Sequence, residues 1–306
     1  MTRFLVRRFF FGVLSVIGAT FIVFVLSRLA GDPRNLYLGT GMLTPEIWEQ
    51  WGRDFGLDKP LPVQYWIWFK DAIQLDFGES IQTGHQAIET IKEKVPATLQ
   101  LAAGAWVFAL LVGIPLGVLS ATKRSSAFDL IGRTFALFGQ ALPPFFLGLM
   151  LILIFSVNLG WLPTSQRGGW EHYILPMVTL GWLPAAAVLR LVRSSMLETL
   201  DSEYIKLARA KGVAEWKVIW KHAFKNAAIP PLTMSALILA SFLTGTVVTE
   251  TVFAWPGLGR LVVTAINNND FPVMTGAVLV FTVLYVVTVF IVDISYALID
   301  PRIRIK

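Results

Sequence analysis

The chain has no cysteine, only three histidines and few charges: 15% of its 306 residues are Asp, Glu, Lys or Arg. Lack of Cys excludes disulfides, thiolate metal sites and cysteine nucleophiles, but leaves the redox compartment open because a reduced protein can lack Cys too. His85, His172 and His222 stand apart, with no H-E-x-x-H and no partner at i+3 or i+4 to complete a helical metal site. No Gly-Lys dipeptide occurs, so the phosphate-cradling G-x-x-x-x-G-K-[ST] loop is missing and the chain binds no ATP in that manner. What it has is apolar surface: 55% apolar residues and a mean hydropathy of +0.63. A soluble domain carries roughly 45–50% apolar and about 25% charged residues, so a soluble enzyme is argued against. With 22 Phe and 11 Trp, disorder is excluded as well.

Crossing a bilayer core about 30 Å thick as a helix takes about 20 mostly apolar residues. Six stretches qualify, near Phe9 to Ser27, Ala97 to Ala121, Phe135 to Leu159, Ile174 to Leu197, Ile229 to Phe253 and Val273 to Leu298. They lack the alternation of a barrel strand, and a helix satisfies its own backbone in lipid. The first follows Arg3, Arg7 and Arg8 but is too long for a signal peptide and reads as a retained anchor. With the N-terminus inside, the cytoplasmic segments hold 15 basic residues and the two short outer loops hold only Arg167 and Arg260. The positive-inside rule therefore predicts both termini to be cytoplasmic.

The expected organisation is a cytoplasmic N-terminus and first span over 1–29, an external loop over 30–96, and a five-helix core over 97–306 with a cytoplasmic loop at 199–228. The external loop is rich in Trp48, Trp51, Phe55, Tyr65, Trp66, Trp68, Phe69 and Phe77, and Tyr65 to Phe77 reads as an amphipathic helix. These aromatics either cap the bundle or lie at headgroup level. Glu250 and Asp293 are the carboxylates expected within or at the ends of spans, where an ionisable group is costly. At 100° per residue Asp293 shares a face of about 80° with Thr275, Thr282, Tyr285 and Tyr296. Thr233, Ser241, Thr244 and Thr251 share another of about 80° in the fifth span. Ser241, Thr244, Thr275, Thr282 and Tyr285 are thus candidates for a hydrophilic path, the alternative being that such groups only hydrogen-bond neighbouring helices. Pro143-Pro144 and Pro230-Pro231 predict kinks or helix starts.

The loop from Leu200 to Pro230 predicts two short helices around Gly212, the first capped by Asp201 or Ser202 and ended by the glycine, the second running from about Ala214 to Lys225. From its physics alone it is either a basic amphipathic pair on the lipid surface or a docking site for another protein. Here the sequence resembles the membrane permease subunits of bacterial ABC importers. It keeps the Ala208, Gly212 and Ile229-Pro230 of their cytoplasmic signature, with Lys206-Leu207 where Glu-Ala would stand. Glu203-Tyr204 with Ala208-Arg209-Ala210-Lys211-Gly212 is similar to the dipeptide/oligopeptide branch, which also takes in nickel and glutathione importers. So are Ala30-Gly31-Asp32-Pro33, Leu57-Asp58-Lys59-Pro60-Leu61, Phe77-Gly78-Glu79-Ser80, Val95-Pro96-Ala97-Thr98, Leu142-Pro143-Pro144-Phe145, the run Thr249 to Gly259, and Asp300-Pro301-Arg302.

The resemblance implies an all-α, six-helix permease of the B type, with no chemistry of its own and no cofactor. Its partners would be a second homologous permease, two cytoplasmic P-loop ATPases that bind ATP and Mg, an external substrate-binding protein and membrane lipid, with no nucleic acid. Glu203, Tyr204, Ala208, Arg209, Ala210, Lys211 and Gly212 would couple it to the ATPases, with Arg209 and Lys211 meeting ATPase carboxylates, and Glu250 and Asp293 would be structural anchors. It would sit in the bacterial inner membrane and take up a small peptide or related solute. The competing reading is an autonomous secondary transporter or channel, which calls for coupling-ion ligands or repeat symmetry. Neither is visible in the sequence.

Overall fold

The computed structural model describes residues 2–32, 34, 44–54 and 56–299. Pro33, Phe55 and Asp300-Pro301-Arg302 lie outside the described residues, as do the side chains of Trp51, Thr244 and Tyr296. The described residues are helical, with no strand beyond an isolated bridge between Glu79 and Gln86. Among the described residues four helices are long and apolar enough to cross a membrane, or up to six where two bent pairs each count as one crossing.

The chain divides into two compact units, residues 1–98 with 256–306 and residues 99–255. In the first unit, α1 (Thr2–Ala30) packs along α12 (Phe271–Ile299). The approach is close: a Cβ on Gly12 would lie 2.7 Å from Val286. Between them in sequence come α2 (Pro45–Asp54) and α3 (Leu61–Ile73). Helix α3 starts four residues before the expected Tyr65, because Pro62 in its first turn presets the helical φ and has no amide to leave unbonded. Tyr65 and Trp68 turn inward onto α1, while Trp66 is exposed. Tyr65 is buried against Phe21 and Phe24, and its hydroxyl lies 2.9 Å from Thr20 Oγ1 and 3.1 Å from the Ile17 carbonyl. Phe77 is buried too, with Ile91, Leu258 and Val273, so this loop is a packed part of its unit. Asp270, also buried, accepts from Ser80 Oγ at 2.5 Å and the Ile81 amide at 3.3 Å. Helix α11 (Leu258–Asn267) completes the unit, its first amide bonded to Thr98 Oγ1 at 2.8 Å.

Helix α4 (Ala87–Thr122) begins ten residues before the expected Ala97, in a charged stretch that an apolar window passes over. The second unit is built on α7 (Glu171–Leu200), which packs against α5 (Ala127–Ala141), α6 (Pro144–Leu151) and α10 (Ile229–Val252). Glycines on α4 let backbones approach, as small residues do between membrane helices. A Cβ on Gly113 would stand 2.8 Å from the Ala185 carbonyl oxygen, which is backbone and cannot swing away. Gly113→Leu is expected to lower stability by at least about 1–3 kcal/mol through overpacking, read as an earlier thermal aggregation of the purified protein.

The expected third span, Phe135 to Leu159, is not one straight helix. Helix α5 and the stretch Pro144–Asn158 meet at 111°. Pro144 pushes Pro143 out of the helical region to ψ 139°, Leu142 before it is extended at ψ 121°, and Pro144 then opens the next helix. Beyond α6 the chain continues as a π-helical turn over Ile152–Asn158. Pro230 and Pro231 likewise stand in the first turn of α10, which matches the expected span from Ile229.

Candidate functional site

The loop between α7 and α10 folds as α8 (Glu203–Ala210) and α9 (Glu215–Ala227), the latter carrying a π-helical stretch at Val218–Phe224. Ser202 occupies the N-cap with extended backbone, but its hydroxyl donates back to the Thr199 carbonyl at 2.5 Å and makes no cap bond into α8. The glycine end is as expected. Gly212 has φ +75°, its amide bonds to the Arg209 carbonyl at 2.9 Å, and the Val213 amide bonds to the Ala208 carbonyl at 3.2 Å. This is the paired Schellman closure, in which a left-handed residue lets the chain turn back on the helix end. No side chain or backbone stands within 4 Å of where a Gly212 Cβ would be, so the glycine serves conformation alone.

Helix α8 is held from below by Ile205, which is fully buried, while Tyr204, Leu207, Arg209, Ala210 and Lys211 are exposed and Ala208 is half-buried. Glu203 pairs with Lys206 at 2.8 Å, and the Tyr204 hydroxyl accepts from Asn226 Nδ2 at 3.0 Å. Arg209 reaches across the Gly212 turn and donates twice to Glu215, at 2.8 and 3.2 Å. That guanidinium holds the Glu215 carboxyl below the usual carboxylate range. Arg209 therefore locks α8 to α9, and of the two expected basic contacts Lys211 is the one whose side chain makes no hydrogen bond or ion pair among the described residues. Trp216 is 64% and Trp220 49% exposed, so the loop presents aromatic as well as basic surface. Their spacing of four in a helical stretch is the sequence signal for that shared face.

The two expected acids are buried. Glu250 is completely enclosed in the second unit, beside Thr249, Phe253 and Trp255, each no more than 1% exposed. Asp293, in the first unit, lies 3.0 Å from Arg8 of α1. The path candidates divide. Ser241 is exposed on α10, and Tyr285 is 38% exposed on α12, whereas Thr275 is buried and Thr282 half-buried. Thr275 and Thr282 donate to carbonyls four residues back, at 2.8 and 2.7 Å, as does Ser241 to one three residues back, so these hydroxyls are satisfied within their own helices.

A third acid escaped the sequence reading. Asp129, 2% exposed, accepts from Ser120 Oγ at 2.6 Å, from Arg193 Nε at 2.9 Å and Nη2 at 3.2 Å, and from the Ser125 amide at 3.1 Å, with Arg133 3.6 Å away. One carboxylate thus ties α4, α5 and α7 together. Among the described residues no group of His, Asp and Glu is placed to hold a metal ion.

Residues 113–305 match the family model described as binding-protein-dependent transport system inner membrane component, and residues 1–102 match the model for its N-terminal part. The chain belongs to this permease family. Members of the family similar to it include the glutathione transport system permease protein GsiC of Salmonella choleraesuis (strain SC-B67), 39% identical over 291 residues and 95% of each chain. GsiC of Escherichia coli (strain K12) is 38% identical over 311 residues, covering both chains fully. In fold, the chain resembles the MetNI methionine ABC transporter in an inward-facing form, with a TM-score of 0.56 and 19% identity over 69% of this chain and 96% of that one. An amino acid ABC transporter gives a TM-score of 0.54 and 12% identity over 67% and 92%. As an ABC importer permease of the peptide/nickel type, the protein is a component of the bacterial inner membrane and a transport subunit.

Proposed function

We propose that this chain is one of two homologous permeases in an ATP-driven importer that takes up a small peptide or peptide-like solute, glutathione being the example among its relatives. In this reading it crosses the membrane six times with both termini inside, α5 and α6 together making the third crossing, and 199–228 faces the cytoplasm. Two P-loop ATPases binding ATP and Mg dock there, and an external binding protein delivers the solute. The observation that carries the reading is α8 with its Gly212 closure: a short helix fixed underneath by Ile205 and tied sideways by Arg209 to Glu215, with an exposed outer surface. Such a helix transmits a push as a rigid body and passes it to α7, from which it is separated only by Asp201 and Ser202. Glu203, Tyr204, Ala208, Ala210 and Lys211 would form the contacted surface, Arg209 its brace, and Glu250 and Asp293 would anchor helices. Ser241, Thr244, Thr275, Thr282 and Tyr285 are retained as path candidates.

Purification of the tagged chain in mild detergent, with mass spectrometry of what accompanies it, tests this. Recovery of a second permease and one or two P-loop ATPases is the expected result. Recovery of the chain alone, in a detergent that preserves other ABC complexes, would sink the reading.

A further inference from the structure

Arg190 stands ten residues before the end of α7, about 15 Å along a helix that is long and apolar enough to cross a membrane. It is exposed, and among the described residues no hydrogen bond or ion pair engages it. An arginine at this depth facing hydrocarbon is costly, and such groups face the bundle interior or a water-filled cavity. The residues on its own face decide between lipid and water. At 100° per residue Arg190, Ser194 and Glu198 fall within about 80° of one another, and all three are exposed. The apolar face of α7, with Leu189, Val192 and Met196, is buried against its neighbours. The helix therefore turns a polar stripe outward, running from Arg190 to its C-terminal end. Local charge is positive as well. Arg193, one turn on, and Arg133 share the single carboxylate of Asp129, which leaves Arg190 uncompensated.

We propose that Arg190 lines the solute path in the cytoplasmic half of the membrane and attracts the carboxylate of an anionic or zwitterionic solute in transit, with Ser194 and Glu198 continuing the wet face toward the cytoplasm. The proposal deepens the importer reading and rests on its topology. It assigns a charge-selective contact to the transmembrane subunit in addition to whatever selection the binding protein makes. A fixed positive charge in the wall of a low-dielectric path raises the local concentration of anions beside it, here around Arg190 and one turn on at Ser194.

The absence of cysteine makes the test direct, since any introduced thiol is unique in this chain. Arg190→Cys, Ser194→Cys, Ser194→Cys with Arg190→Gln, and Ser194→Cys with Arg190→Lys are prepared in the assembled complex in lipid nanodiscs. Each is reacted with the anionic sulfonatoethyl and the cationic trimethylammonioethyl methanethiosulfonates, and modification of this chain is followed by mass spectrometry. With Arg190 present, the anionic reagent is expected to gain on the cationic one at Ser194→Cys relative to a small free thiol. Arg190→Gln should lower that ratio about tenfold, and Arg190→Lys should restore most of it. An unchanged ratio overturns the proposal. So does reaction of both cysteines only with a membrane-permeant maleimide, which would place the stripe in lipid, or reactivity of Arg190→Cys only after the second permease dissociates, which would place it in a subunit interface. Co-purification of the ATPases is scored separately, so a failed importer reading and a failed Arg190 assignment give different results.

Discussion

Arg193→Ala is expected to destabilise the second unit by about 3 kcal/mol, the lower end of what removing one partner of a buried ion pair costs. The reason is what it leaves behind. Asp129 is 2% exposed and would lose two of its four bonds, keeping only Ser120 Oγ and the Ser125 amide. Arg133, 3.6 Å away and more than half exposed, limits the loss by moving in, which is why the upper end is not expected. Asp129→Asn should cost less, because Arg193 is already 24% exposed and can turn its charge to water. The measurement is thermal aggregation of the purified protein, with Arg190→Gln as the neighbouring control that should leave it unmoved. If Asp129→Asn proves more damaging than Arg193→Ala, a stranded carboxylate is not the cause.

Gly212→Pro is expected to abolish ATP-coupled uptake while leaving membrane insertion and steady-state level close to normal. Proline holds φ near −65° and has no amide, whereas this position needs φ +75° and its amide bonds to the Arg209 carbonyl. Both requirements fail together, so the Schellman closure opens and the Arg209 to Glu215 brace loses the turn that sets its geometry. The turn is exposed and has open space around it, so the rest of the fold has little reason to respond. The combination to look for is an uptake loss of at least about tenfold with ATP hydrolysis retained, because ordinary Gly-to-Pro damage would remove protein and activity alike. Normal uptake by this variant would remove Gly212 from the coupling assignment.

Much of this was legible in the sequence. The apolar runs located α1, α4, α7, α10 and α12, since hydrocarbon thickness and backbone satisfaction leave helices few alternatives. Gly212 was legible because glycine between two amphipathic stretches has a specific conformational use, and Asp293 because a carboxylate deep in a span must find a partner, here Arg8. The break at Pro143 was half visible. A proline pair announces a kink, but only the extended backbone of Leu142 and Pro143 turns it into 111°. Asp129, Arg190 and Arg193 were overlooked because a hydropathy window averages isolated charges away, and nothing local says that Asp129 and Arg193, 64 positions apart, will meet. Faces were the hardest part. Thr275 and Tyr285 lie on one side of a helix wheel, yet one is buried and the other exposed, since what covers a face depends on neighbours along its length.

The corner at Leu142–Pro143 sets a condition on its surroundings. The helices on either side, Ala127–Ala141 and Pro144–Asn158, are each about 20 Å long at 1.5 Å or less per residue, shorter than a hydrocarbon slab of about 30 Å. A sharp bend between two such arms leaves the last carbonyls of the first without helical amides to receive, and acyl chains offer no donors. Wherever this elbow lies in the membrane, then, it needs water or another protein surface against it. Acyl chains sealed directly around the elbow would strand those carbonyls.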